Sequence, residues 1–447
     1  MRRRHATASH MFDATDTIVA LSSGSLPAGI AVLRISGPAA PTLVGRHVTR
    51  LPPPRHAGLR TIRDGDGAIV DRGLVILFPG PDSVTGEDLV ELHLHGGKAV
   101  VAACLEALTA HPGVRLAEAG EFTRRAFVNG RMDLTEAEGL ADLLAAETEL
   151  QRKLAIAQTG GAMRKACEGW MRRLTHIRAM LEADFDFSDE DDVADDVAAG
   201  VSREIMALRS ELEAALANAK RGEILKDGFK VAIVGAPNAG KSSLINCLAE
   251  RDVAIVSDIP GTTRDRIEVT LDLGGLAVRL IDTAGLRETA DPIERLGIER
   301  ALDAARHADL VLHLCPVGEA ADPIDAGPDG PPTWIVTTKA DTSPDDLPGL
   351  AISVRSGAGI DRLVERVRGL ASETAGDPEG GIPTRSRHRD AIGMAVGYLR
   401  ECDVETLPPE VAAELLRMAS DALGRIVGKR GVEDLLDVIF SQFCIGK

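Results

Sequence analysis

Gly235-Ala236-Pro237-Asn238-Ala239-Gly240-Lys241-Ser242 fits the phosphate-loop spacing G-x-x-x-x-G-K-[ST]. A glycine-rich turn bares backbone N–H groups, and a lysine and a hydroxyl supplement them, so the chemistry implied is capture of a nucleoside triphosphate with a divalent cation. Lys241 is expected to neutralise the β and γ phosphates, and Ser242 to ligate magnesium. Lys230 to Val234 reads as a short buried-type strand and Ser242 to Ala249 as a helix, which puts the loop at a strand-to-helix junction. Three further segments follow in the order a GTPase requires. Thr263, in Gly261-Thr262-Thr263-Arg264-Asp265, suits a switch threonine closing over magnesium. In Asp282-Thr283-Ala284-Gly285, Asp282 would hold magnesium through water and the Gly285 N–H would meet the γ phosphate. Thr338-Lys339-Ala340-Asp341 resembles the guanine-reading N-K-x-D, and Ser353-Val354-Arg355 the loop that backs the base. Asp341 would accept from the ring N–H and exocyclic amine of guanine, which adenine does not offer in that geometry.

Three departures bear on the chemistry. Thr338 stands in place of asparagine and is expected to lose an amide that bonds the base and braces the phosphate loop, weakening affinity. Val354 replaces alanine, a mild change because a backbone N–H makes the contact. Leu286 occupies the position where Ras-like enzymes orient water with glutamine. Leucine cannot do that, so hydrolysis recruits polar groups from elsewhere, or the chain is a binding switch with negligible turnover.

Other reactive residue types are scattered. Cys104, Cys167, Cys247, Cys315, Cys402 and Cys444 show neither metal-ligand nor disulfide spacing, which implies a reducing cytoplasm. His93 and His95 share a strand face, but no third metal ligand is evident, so strand polarity is the better account. The acidic stretch from Asp184 to Asp196 reads as a solvated inter-helix loop.

The elements that must position these residues fall into three textures. From Asp16 to Val128 short apolar runs alternate with Gly and Pro; Ile30–Ile35, Gly73–Phe78 and Leu89–His95 read as strands and Ala99–Ala110 as a helix. From Leu134 to Lys226 the pattern is helical, with a break expected at Gly160-Gly161. From Phe229 to Ala371 strands alternate with helices, as in a largely parallel sheet, and Gly274-Gly275 marks a hairpin. Helical sequence resumes after a linker from Gly376 to Pro383, so the α/β part reads as inserted into a helical domain. The formal net charge of -17 disfavours indiscriminate nucleic-acid binding, and no apolar run reaches the roughly 20 residues of a membrane span.

The segments Gly235–Ser243, Asp258–Asp265 and Asp282–Glu288 resemble the MnmE (TrmE) family of tRNA modification GTPases. So do Leu33-Arg34-Ile35-Ser36-Gly37, Thr85-Gly86-Glu87-Asp88, Gly120-Glu121-Phe122-Thr123 and Phe443-Cys444-Ile445-Gly446-Lys447. The resemblance spans Asp16 to Lys447 and implies an α/β and α multidomain fold. Its parts would be an N-terminal α+β folate-binding domain (16–130), a discontinuous helical domain (131–227 and 376–447) and an inserted Ras-like P-loop GTPase domain (228–375), while residues 1–15, outside the resemblance, read as a disordered extension. It also implies a homodimer and a heterotetramer with the FAD-dependent partner MnmG (GidA). Together they would place an aminomethyl or carboxymethylaminomethyl group on wobble uridine of tRNA, with reduced folate supplying one carbon.

By similarity the GTP-binding set comprises Asn238, Ala239, Gly240, Lys241, Ser242, Ser243, Ser257, Asp258, Ile259, Pro260, Gly261, Thr262 and Thr263, with Asp282, Thr283, Ala284, Gly285, Thr338, Lys339, Asp341, Ser353, Val354 and Arg355. Potassium would sit on Asn238, Ser257, Ile259 and Thr262, and magnesium on Ser242 and Thr263. Glu294 aligns with a catalytic acid, and Arg34, Glu87, Arg131 and Lys447 with folate contacts. Cys444 reads either as a thiolate nucleophile activated near Lys447 or as a small apolar residue packed beside Phe440 and Phe443. A rival reading is a ribosome-assembly switch of the Era or Der type, which predicts a basic RNA-binding module beside the GTPase domain. None is evident, and the acidic balance speaks against it.

Overall fold

The computed structural model describes residues 16–186, 194–255, 268–282, 305–319, 330–343, 347, 349–376, 382–429, 433–441, 443, 445 and 446. It divides into two units, residues 1–141 with 427–447, and residues 142–426.

In the first unit, apolar residues at every second position give the strands one buried face. β1 (Thr17–Leu21), β2 (Ala28–Ser36), β3 (Gly58–Arg63), β4 (Ile69–Phe78), β5 (Leu89–Gly96) and β6 (Val114–Leu116) form a sheet of order β3-β4-β5-β2-β1-β6. Ala31, Leu33 and Ile35 from β2 and Val90, Leu92 and Leu94 from β5 share a core with α1 (Ala40–His47) and α2 (Lys98–Thr109). On the opposite face, Phe122 of α3 (Glu121–Val128) packs on Ile18 and Ala20. The register sets Arg34 of β2 directly across from Glu91 of β5. The start of α4 (Leu134–Ala145) meets Phe440 and Phe443 through Ala137, at the end of the helix Glu433–Phe440. Beyond it Ile445 bridges Ala119, and the Ser22 hydroxyl donates to the Gly446 carbonyl at 2.8 Å. Gly446 has φ +96°, and a Cβ there would stand 2.2 Å from the Leu21 carbonyl oxygen.

The second unit combines a bundle and a sheet. α5 (Glu149–Thr159), α6 (Ala162–Asp186), α7 (Ala194–Ala217) and α8 (Ala219–Asp227) precede β7 (Phe229–Gly235), α9 (Lys241–Ala249), β8 (Ala254–Ile255), β9 (Glu268–Asp272) and β10 (Ala277–Asp282). β11 (Leu310–Pro316), β12 (Thr333–Thr338), β13 (Leu350–Ala351), α10 (Ile360–Ala375), α11 (Ser386–Glu401) and α12 (Pro409–Ile426) follow. Met163, Cys167, Trp170, Leu174, Ile177 and Leu181 recur at alternating steps of four and three along α6 and are buried. Val201, Ile205, Leu208 and Leu212 do the same in α7, and these helices pack with α11 and α12 as a four-helix bundle. The sheet order is β13-β12-β11-β7-β10-β9-β8. β7, β10, β11, β12 and β13 run parallel, while β9 and β8 complete an antiparallel edge. Val231 and Ile233 face a core shared with α5, α8, α9 and α10, and Ala232 and Val234 face Ala305 and Val311.

Two expectations are amended here. The break expected at Gly160-Gly161 is present, between α5 and α6, but an earlier one at residues 146–148 was not foreseen: the Gln151 side-chain oxygen accepts from the Glu147 and Thr148 N–H groups at 2.9 and 3.1 Å and starts α5 afresh. The acidic stretch is not all loop: α6 runs to Asp186 and α7 begins at Ala194. Gly274-Gly275, both at positive φ, turn the hairpin between β9 and β10 as expected.

Candidate functional site

The chain leaves β7 to build β8, β9 and β10 on one side, then crosses to build β11, β12 and β13 on the other. Connections therefore diverge at the carboxyl end of β7, the crevice where open parallel sheets bind ligands. The phosphate loop starts there. Gly235 has φ +148°, and a Cβ would stand 2.5 Å from the Leu314 carbonyl oxygen, so β11 excludes any side chain. Asn238 at φ +63° and Gly240 at φ +97° place left-handed residues either side of Ala239, a backbone shape that turns successive N–H groups toward one concavity. α9 begins at Lys241, whose ammonium donates to the Gly235 and Ala236 carbonyls at 2.7 and 2.9 Å. Ser242 and Ser243 are exposed on its first turn. Asp282 ends β10, paired in register with Ile233.

The base-reading segment is tied to that loop. Thr338 ends β12, only 4% exposed, and its hydroxyl donates to the Ala239 carbonyl at 2.8 Å. The expected loss of the brace is thus corrected: the Thr338 hydroxyl itself ties the strand end to the phosphate loop. Lys339 takes φ +58° and opens a 3₁₀ turn over Ala340–Thr342 that presents Asp341 to solvent. The buried Ser353 hydroxyl donates to Asp341 Oδ1 at 2.6 Å. That bond, with the Asp341 N–H and the Arg355 charge, outweighs desolvation and holds the carboxyl below its ordinary pKa. Asp341 is therefore an ionised acceptor, the state needed to read two N–H donors on a base. Val354 packs against the core, and Arg355 is exposed. The structure brings Asn238, Ala239, Gly240, Lys241, Ser242 and Ser243 to the strand ends with Thr338, Lys339, Asp341, Ser353, Val354 and Arg355. Ser257, Asp258, Ile259, Pro260, Gly261, Thr262, Thr263, Thr283, Ala284, Gly285, Leu286, Glu294, Cys444 and Lys447 lie outside the described residues.

The first unit carries a separate polar cluster. Arg34 donates to Glu91 Oε1 through two nitrogens, at 3.1 and 2.8 Å, and its guanidinium lies 5.8 Å from the Phe122 ring centroid. Glu87 accepts from Ser36 at 2.8 Å and from Arg125 at 3.2 Å. Arg125, 3% exposed, also meets Asp16 and Glu121. Burial alone would raise the Glu121 carboxyl; bonds from Arg115, the Glu118 N–H and Arg125 overcome it and hold the group low. Arg131 lines an open cleft of about 350 Å³ with Arg55, Phe78 and Glu91. The sequence had singled out Arg34, Glu87 and Arg131 but not Glu91, Arg125, Asp16 and Glu121, with which Arg34 and Glu87 pair or share the cluster. Two signals were present: Glu91 interrupts an apolar strand opposite Arg34, and Glu121 and Arg125 stand four apart at a helix start.

The remaining candidates have structural partners. His93 meets Glu91 at 3.2 Å and His95 meets Asp71 at 2.8 Å. Burial pushes the Cys104 and Cys402 thiols up to about 12 and about 11, which removes them as nucleophiles. Among the described residues no helix is long and apolar enough to cross a membrane.

Comparison with known proteins matches the chain to two family models. A family model described as the MnmE helical domain matches residues 134–444, and one described as the GTP-binding protein TrmE N-terminus matches residues 17–131. A curated tRNA modification GTPase MnmE of Brucella canis is 51% identical over 439 residues, covering 97% of this chain and 98% of its own. One of Sinorhizobium medicae is 51% identical over 443 residues, covering 97% and 99%. Among solved structures, Aquifex aeolicus Era bound to GDP and aluminium fluoride is 25% identical with a TM-score of 0.26, covering 38% of this chain and 66% of that one.

Proposed function

The chain belongs to the MnmE (TrmE) family of tRNA modification GTPases, and from that premise we propose that it hydrolyses GTP to drive modification of wobble uridine in tRNA. With the FAD-dependent MnmG (GidA) as partner it forms 5-carboxymethylaminomethyl or aminomethyl uridine, acting in the cytoplasm as a homodimer within a heterotetramer. The observation that carries the nucleotide reading is the Thr338 hydroxyl bonded to the Ala239 carbonyl, because it joins a base-reading loop to a phosphate loop across two strand ends.

The chain's own groups divide the work. Backbone N–H groups between Asn238 and Ser242 bind phosphate oxygens, and the Lys241 ammonium, held on a short tether to the loop, adds charge where triphosphate charge is greatest. Asp341 selects guanine, and Ser353 keeps it ionised and oriented. The exposed Ser242 hydroxyl suits magnesium and the exposed, left-handed Asn238 suits potassium; by similarity Thr263 would join the first ion and Ser257, Ile259 and Thr262 the second. When bound, these cations supply positive charge to phosphate oxygens in place of an arginine side chain. By similarity Glu294 would orient water indirectly, since Leu286 cannot.

The first unit suits reduced folate. Its cleft sets the Arg131 and Arg55 cations and the Glu91 carboxylate beside the Phe78 ring, groups that match a pterin edge and an anionic tail. Arg34 orients Glu91, and Arg125 and Ser36 fix Glu87; by similarity Lys447 would join Arg34, Glu87 and Arg131 as a folate contact. Bound there, the folate supplies the one-carbon unit. The test is mass spectrometry of wobble uridines from a strain lacking this protein, complemented with wild type or with Asp341→Asn. Loss of the modification, restored by wild type alone, is expected. Unchanged nucleosides in the deletion strain would discard the modification reading.

A further inference from the structure

α6 gathers positive charge in a chain whose formal net charge is -17. Between Ala162 and Arg178 it carries Arg164, Lys165, Arg172, Arg173 and Arg178 against the single carboxylate of Glu168. The four-three spacing from Met163 to Leu181 turns its apolar stripe into the bundle. A second stripe, Lys165, Gly169, Arg172 and His176, repeats at steps of four, three and four and runs about 16 Å along the helix axis. Lys165, Arg172 and His176 are all exposed. Together with Trp170, Arg173 and Glu211 they border an open groove of about 530 Å³.

The groove's one carboxylate is already satisfied. Glu211 accepts from the Trp170 ring N–H and from Arg173, both at 2.7 Å, and Arg173 also reaches Glu204 at 3.3 Å. Among the described residues neither Arg172 nor His176 forms an ion pair, and Lys165 donates to the Gly160 carbonyl at 3.2 Å, a bond that leaves its charge unneutralised. We propose that this groove seats the phosphodiester backbone of the tRNA substrate, with Lys165 and Arg172 each neutralising a phosphate and His176 donating a hydrogen bond further along. The proposal rests on the tRNA reading above and adds where on the chain the RNA lies. A phosphate backbone asks for point charges along a line, which the stripe offers. A protein partner would want an exposed aromatic anchor, and Trp170, 5% exposed, is turned inward. The acidic remainder of the surface repels RNA elsewhere and so favours this register.

The experiment measures tRNA affinity of the full-length chain against salt concentration, for wild type and for a Lys165→Gln, Arg172→Gln double variant. Two lost phosphate contacts should make the log–log salt slope shallower by about 1.8, which between 1 M and 0.1 M salt amounts to roughly 60-fold in affinity. GTP hydrolysis without tRNA and the thermal midpoint should stay as in wild type, since both side chains are exposed. A variant with the wild-type slope overturns the groove and leaves the tRNA reading standing. A wild-type chain with no salt-dependent tRNA affinity removes both. A wild-type slope together with lost association of an acidic protein would give the groove to that protein and equally overturn the proposal.

Discussion

Replacing Thr338 by valine keeps the shape of a 4%-exposed side chain and exchanges for a methyl the hydroxyl that donates to the Ala239 carbonyl at 2.8 Å. A buried hydrogen bond is worth about 1 kcal/mol net, and turning a methyl group toward its former acceptor raises the loss to about 1–3 kcal/mol. Part should appear as a lower unfolding midpoint of the second unit. The rest should appear in nucleotide binding, because Ala239 lies inside the phosphate loop: about 1.4 kcal/mol of lost loop order weakens the Kd by about tenfold. The loss should be the same for GDP and GTP, and the preference for guanine over adenine should persist, since Asp341 is untouched. Fluorescent-nucleotide titration and urea unfolding of Thr338→Val, beside Thr338→Ser, measure both parts. A valine variant with wild-type midpoint and Kd within twofold would refute the brace.

Asp341→Asn exchanges an acceptor for a donor opposite the guanine N–H groups and should lower GTP affinity at least about 100-fold, by the asymmetry of unpaired polar groups; a competition titration with xanthosine and guanosine nucleotides reads it, and unaltered GTP binding would count against Asp341. Ser353→Ala removes the bond that depresses the Asp341 carboxyl. A depressed carboxyl keeps its contribution above the ordinary pKa and loses it as pH falls through the lowered one. The variant's nucleotide affinity should therefore start to fall at higher pH than the wild type's, and superimposable profiles between pH 7 and pH 4 would exclude the bond. Arg125→Met strands Asp16, Glu87 and Glu121 around an apolar side chain and should cost the first unit about 3–5 kcal/mol, read by hydrogen exchange; a loss below about 1 kcal/mol would show the cluster to be slack.

The described part of the candidate nucleotide site was legible because its segments are local strings with a backbone requirement. Gly235, Asn238 and Gly240 announce their positive φ angles in their residue types, and the hairpin glycines do likewise. β2, β4 and β5 could be read from apolar alternation, whereas β1, β3 and β6 are short or polar and take their state from neighbours in the sheet. The break before α5 was hidden because Leu140, Leu143, Leu150 and Leu154 keep helical spacing across it while Gln151 caps the new helix from three residues inside. The Thr338 brace was misjudged from residue identity. Reach depends on where β12 ends relative to the loop, a fact no substitution pattern carries. The Arg125 cluster joins positions as far apart as 16 and 125, and such long-range pairing leaves no period in a single sequence.

The docking of Ile445 and Gly446 against Ala119, Leu21 and Ser22 sets a timetable for synthesis. On the ribosome, the opening sheet emerges first and then waits while the whole second unit, residues 142–426, is made. At about 5–20 residues per second the interval is roughly 15–60 s, during which the seam that Gly446 later closes stands open. A chaperone or a premature partner has that window to act on the nascent chain.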